Sequence, residues 1–87
     1  ISVLSNIKPR ETHNICEEYF RGNVEASAAL QIKYSNLVDA LFCETNPIPV
    51  KAAMNVLGFD VGECRLPLYE MSEANLAKLK AAIDEVK

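Results

Sequence analysis

The sequence predicts a small, mostly α-helical protein: a strand stub followed by four amphipathic helices. Three observations carry this. Apolar residues recur at three- and four-residue spacing in four separate stretches, as they do in helices with one buried face. Gly22, Pro47, Gly58 and Pro67 fall between those stretches, where they punctuate helices. The chain has 87 residues, 49% of them hydrophobic and 24% charged, a length and composition that suit one globular domain and are too apolar for a disordered tail.

Ile1 to Ser5 reads as the end of a strand, β-favouring at Val3 and Leu4 with a polar stop at Ser5-Asn6. One strand cannot pair with itself. Its partners are expected in another chain or in a preceding part of the same one, so the sequence reads as a fragment. Pro9 stands where a helix begins, because its missing N–H costs nothing there. Ile15, Cys16, Tyr19 and Phe20 then form an apolar face, and Gly22-Asn23 ends the helix through a left-handed cap. The longest helix is expected from about Val24 to Cys43, with Ser27, Leu30, Tyr34, Leu37, Val38 and Leu41 as its stripe.

Asn46-Pro47-Ile48-Pro49 breaks the chain, since each proline drives the residue before it out of the α region. Pro49 opens a helix carrying Val50, Ala53, Met54 and Leu57 on one face, and Gly58 closes it. Residues 59–71 read as a loop, with turn chemistry at Asp60-Val61-Gly62 and an extended Arg65-Leu66-Pro67-Leu68 piece. Ser72 is the N-cap of the last helix, whose stripe is Leu76, Leu79, Ile83 and Val86.

Twelve Asp and Glu against nine Lys and Arg leave a net charge of −3. That balance offers no cationic surface for phosphate backbones or anionic lipid, so neither nucleic acid nor membrane is expected as a partner. No apolar run approaches the roughly 20 residues of a membrane span, and no signal or transit peptide is expected within these residues. Cys16, Cys43 and Cys64 form no C-x-x-C pair, and His13 alone does not complete a zinc site. Reduced structural thiols are the plainer reading, and no metal or cofactor is expected.

Catalytic constellations are scarce. Glu17 and Glu18 point about 100° apart on a helix and form no carboxylate dyad. Lys51 follows a rigid corner, where a desolvated amine could serve as a Schiff-base nucleophile. The plainer alternative is a surface ammonium, or one paired to Glu44. There is no glycine-rich phosphate loop, no G-x-S-x-G and no H-E-x-x-H.

One string is unusual: Phe42-Cys43-Glu44-Thr45-Asn46-Pro47-Ile48-Pro49-Val50-Lys51. Together with Ile1-Ser2-Val3-Leu4-Ser5-Asn6 and Arg65-Leu66-Pro67-Leu68, it resembles the C-terminal portion of the dihydrodipicolinate synthase family, in the family's order and spacing. Cys64 stands where the family's loop carries a leading Leu. The resemblance spans essentially the whole chain; the ten-residue corner is specific and the helices around it are generic.

The resemblance implies a C-terminal fragment of a (β/α)8 TIM barrel with an appended three-helix domain. Residues 1–22 would be the last β/α unit, with the eighth strand at 1–5 and the eighth helix at about 9–21. Residues 23–87 would be the helical domain. A full barrel needs about 250 residues, so this segment alone would be inactive. The implied reaction condenses pyruvate with aspartate-4-semialdehyde through a Schiff base on a barrel lysine, giving 4-hydroxy-tetrahydrodipicolinate for lysine and diaminopimelate synthesis.

The Schiff-base lysine, the proton-relaying tyrosines, the carboxylate-binding arginine and the feedback lysine site lie upstream in the family, and none maps onto this sequence. Lys51 matches a lysine of the corner motif that is not the Schiff-base one. Ile1 matches an isoleucine that borders bound pyruvate. Asn46 matches the Asn of the corner, with an expected role of tying down nearby backbone. The family also implies a cytoplasmic homo-oligomer, a tetramer built as a dimer of dimers. Two other readings stand beside this one: a segment of a related pyruvate aldolase such as N-acetylneuraminate lyase, and an autonomous helical interaction module whose strand stub and first helix a partner would cover.

Overall fold

The computed structural model describes residues 1–87 and contains helices and turns without a strand. A 3-10 turn at Leu4–Asn6 precedes five α-helices: α1 (Pro9–Phe20), α2 (Val24–Lys33), α3 (Ser35–Leu41), α4 (Ile48–Val56) and α5 (Glu73–Glu85).

The strand expected at Ile1–Ser5 does not form. With no neighbouring strand to accept a ladder, the backbone satisfies itself locally. Ser5 N–H donates to Ser2 Oγ at 3.1 Å, and Ser5 Oγ donates to the Ser2 carbonyl at 2.9 Å. Asn6 donates to the Val3 carbonyl from both its backbone N–H and its side chain, at 3.1 and 3.0 Å. Bonds three residues apart wind the segment into a 3-10 turn.

In α1, Pro9 stands in the first turn as expected. Gly22 ends the helix at φ +86°, a conformation that favours glycine over any residue with a Cβ. Asn23 N–H then reaches back to the Glu18 carbonyl at 2.8 Å.

The long helix expected over Val24–Cys43 is two helices, broken at Tyr34 (φ −97°, ψ 4°). Ser35 Oγ donates to the Ile32 carbonyl at 2.8 Å beside the break, a back-bond of the kind that bends helices. The stripe survives the break because Tyr34 N–H still meets the Leu30 carbonyl and Val38 N–H meets the Tyr34 carbonyl, at 3.2 and 3.0 Å. Residues 23–87 therefore carry four α-helices in place of the three expected.

The core gathers Leu37 and Leu41 of α3, Val50 and Ala53 of α4, and Leu79 and Ile83 of α5. Leu37, Leu41 and Leu79 are fully buried, and each such leucine contributes roughly 1.5–3 kcal/mol. The 3-10 turn closes this core through Leu4, with Val3 and Ile7 packed alongside. Lys8 Nζ, just before α1, donates to the Val86 carbonyl at the end of α5, at 3.3 Å.

Helix α1 stands apart. It touches α2 and the 3-10 turn and none of α3, α4 or α5. The molecule is accordingly long, 44 × 21 × 21 Å. No residue of α1 is buried, and the face expected from Cys16, Tyr19 and Phe20 lies open. One hydrogen bond pins the α1–α2 hairpin, from Ser27 Oγ to the Ile15 carbonyl at 2.7 Å.

Candidate functional site

The corner between α3 and α4 is built from the unusual string singled out in the sequence. Ile48 N–H bonds the Thr45 carbonyl at 2.9 Å, and Lys51 N–H bonds the Pro47 carbonyl at 3.0 Å. Asn46 and Pro47 form a turn (Pro47 φ −100°, ψ 21°) in place of the extended corner expected, and these two bonds carry it into α4, which begins at Ile48 rather than at Pro49.

Glu44 is the corner's most connected side chain. Its Oε2 accepts from Asn75 Nδ2 at 2.9 Å, Ser72 N–H at 3.0 Å and Ser72 Oγ at 3.3 Å. The Asn75 amide, followed by the Ser72 backbone, holds the Glu44 carboxyl below its ordinary value because both favour the ionised form. Asn46, by contrast, is exposed, and its side chain joins none of the molecule's hydrogen bonds. The tying role expected of Asn46 belongs here to Glu44.

Lys51 does not pair with Glu44. Its Nζ donates to the Glu63 carbonyl at 2.7 Å across the loop that follows α4. One turn further along α4, Asn55 accepts from Val61 N–H at 3.0 Å and donates to the Gly62 carbonyl at 3.2 Å. Two side chains on one face of α4 thus hold the loop by its backbone. Lys51 is a loop-holding ammonium, and the Glu44 pairing expected of it does not form.

Between α4, this loop and α5 lies an open cleft of about 980 Å³. Ile48, Ala52 and Val56 of α4, Leu76 of α5, and Leu68 and Met71 of the loop give it apolar walls, while Lys51, Lys80, Glu63 and Glu70 bring charge. Cys64 borders it, and His13, the chain's one histidine, does not. The cleft can receive an apolar surface.

The other expected residues lie apart. Ile1 is fully exposed, although the 3-10 turn three residues on packs against α3 and α4. Cys16 is exposed, Cys43 and Cys64 are half-buried, and all three are free thiols. No group of three His, Cys, Asp or Glu side chains could hold a metal. Tyr34 is buried beneath Lys33, whose Nζ lies 5.4 Å from its ring, and Tyr19 and Tyr69 are exposed. No helix is long and apolar enough to cross a membrane.

Sequence reasoning found the Ser72 cap but missed its tie to Glu44. The available signal was Asn75, three residues after the cap, where a Glu or Gln would complete a local capping box.

Comparison with known proteins places these features in one family. Residues 1–86 match the model of the dihydrodipicolinate synthetase family. The chain is similar to the 4-hydroxy-tetrahydrodipicolinate synthase of Clostridium perfringens, 59% identical over 80 residues that cover 92% of this chain and 28% of that protein. It is 49% identical over 85 residues to the enzyme of the same name from Acetivibrio thermocellus, covering 98% of this chain and 29% of that one. The crystal structure of dihydrodipicolinate synthase from Thermotoga maritima superimposes with a TM-score of 0.95 at 48% identity, over 98% of this chain and 29% of that chain. The chain thus spans less than a third of the length of the curated relatives it matches.

Proposed function

The chain belongs to the dihydrodipicolinate synthetase family, and from that membership we propose that it is the C-terminal part of a 4-hydroxy-tetrahydrodipicolinate synthase. The whole enzyme condenses pyruvate with aspartate-4-semialdehyde. Pyruvate's ketone loses water to a lysine amine, the resulting Schiff base loses a proton to become an enamine, and the enamine carbon attacks the aldehyde. The semialdehyde's own amino group then attacks the Schiff-base carbon, which closes the ring and displaces the lysine amine. The product feeds lysine and diaminopimelate synthesis in the cytoplasm, and the enzyme works as a homo-oligomer.

In this reading residues 1–22 complete the barrel, with α1 as its last helix, and residues 23–87 form the appended helical domain. Ile1 borders the pyruvate pocket. The nucleophile lies in the rest of the enzyme. Lys51 is committed to the Glu63 carbonyl in a loop and does not serve as the Schiff-base amine, so the 87 residues alone are inactive.

The observation that carries the proposal is the family match over 86 residues combined with relatives at up to 59% identity. The relatives' shared name favours the synthase over N-acetylneuraminate lyase. The test is borohydride trapping with pyruvate. A full-length protein is expected to gain one reduced pyruvyl adduct on a lysine outside this segment, and the 87-residue chain none. An adduct on Lys51 overturns the assignment of roles, and a full-length protein that forms none overturns the function.

A further inference from the structure

We propose that Glu44 is a remote capping residue for α5, a latch that fastens the start of the last helix to the α3–α4 corner and sets the mouth of the cleft between α4 and α5. A helix start leaves its first N–H groups without internal partners. A capping box meets two of them: the N-cap side chain takes the N–H three residues on, and a Glu or Gln there reaches back to the N-cap N–H.

Helix α5 has the first half of this arrangement, since Ser72 Oγ accepts from Asn75 N–H at 3.2 Å. The second half comes from elsewhere in the chain. Asn75 turns its amide outward to Glu44 at 2.9 Å, and Glu44 takes the Ser72 N–H at 3.0 Å from 28 residues away. One carboxylate oxygen also meets the Ser72 hydroxyl at 3.3 Å, and its charge faces the positive end of the helix dipole.

Each wall of the cleft has a residue close to this latch in the chain. Ile48 lies one turn after Glu44, and Leu76, whose N–H bonds the Ser72 carbonyl at 2.9 Å, lies one turn into α5; both line the cleft. The intervening loop is held in its first half by Lys51 and Asn55. From Arg65 to Met71 its own bond is a single turn, Leu68 N–H to the Arg65 carbonyl at 3.0 Å. Opening the latch therefore loosens the Ser72 cap and the first turn of α5, while Met71 stays packed on the core and Leu79 and Ile83 keep the body of α5 there.

Residue-level hydrogen exchange tests this in the chain and in Glu44→Ala, Glu44→Gln and Glu73→Gln. The Ser72 amide is expected to exchange about tenfold faster in Glu44→Ala, the scale of a lost charged hydrogen bond. It is expected to exchange less than that faster in Glu44→Gln, which keeps an acceptor oxygen without the charge. The Leu79 and Ile83 amides are expected to stay as they were, and Glu73→Gln, which alters a first-turn acid outside the Glu44 bonds, to leave Ser72 unchanged. Unaltered Ser72 exchange in Glu44→Ala overturns the proposal. So does equal acceleration at Leu79 and Ile83, or an equal effect from Glu73→Gln. If Glu44→Ala fails to fold, Asn75→Ala removes one arm of the latch and is expected to accelerate Ser72 measurably; no change there overturns it.

Discussion

In α3, α4 and α5 the apolar stripe of each helix meets another helix, and Leu37, Leu41, Ala53 and Leu79 are wholly removed from solvent. In α1 a stripe of the same periodicity meets α2 along one edge and water along the rest, leaving Tyr19 60% and Phe20 81% exposed. Helix α2 shares the pattern, burying Ser27 while Val24 and Ile32 stay exposed. Amphipathic spacing marks which face of a helix is apolar; whether that face stabilises anything depends on a partner being there. The C-terminal helices find theirs within the chain, and the α1–α2 hairpin rests chiefly on its own contacts and the Ser27 bond.

Matched truncations break this contrast with the largest effect. Leu37→Ala empties part of a closed core and is expected to cost about 2–5 kcal/mol, whereas Phe20→Ala removes a side chain that is mostly in water and stays within about 0.5 kcal/mol. Urea unfolding of the two variants decides it; equal losses would place the hairpin inside the cooperative core. Ser27→Ala probes the hairpin's fastening. It is expected to cost about 1 kcal/mol and to speed amide exchange in α1 and α2 while leaving α4 and α5 protected.

The Glu44 latch brings pH into the comparison. Its carboxyl is held below the ordinary value of 4.5 by the Asn75 amide and then the Ser72 backbone. A depressed folded-state pKa adds stability that is present above the unfolded value and lost as the pH falls through the folded one. Unfolding followed from neutral pH to below about 4.5 is therefore expected to show a steeper acid-side loss in the parent than in Glu44→Gln. Parallel curves would remove Glu44 from the account. The smallest effect is expected at the Arg21–Glu17 pair, 3.0 Å apart on the exposed side of α1. Arg21→Ala should cost about 0.3–0.5 kcal/mol, fading in high salt.

Much of the α-helical fold was legible in the residues. Pro9, Gly22, Gly58 and Ser72 mark boundaries that the helices respect to within a residue or two, because capping and φ restrictions act through near neighbours. The stripe from Ser27 to Leu41 was also readable, since periodicity survives the break at Tyr34. The break itself was not: it accompanies a back-bond from Ser35 to the Ile32 carbonyl, and a single serine inside a helical pattern is usually tolerated without one. The corner string pointed to the family, and the comparisons bear that out.

By itself, then, the sequence determined what depends on short range: which segments wind into helices, where they stop, and which faces are apolar. Tertiary structure alone decided what needs a second segment. A strand requires a neighbour for its N–H and C=O groups, so the β-favouring Ile1–Ser5 becomes a 3-10 turn that bonds to itself. Lys51 and Glu44, seven residues apart and plausible partners on paper, go instead to the Glu63 carbonyl and to the cap of α5. The exposure of Tyr19 and Phe20 follows from the same cause, because burial belongs to a pair of surfaces and a sequence pattern describes one of them at a time.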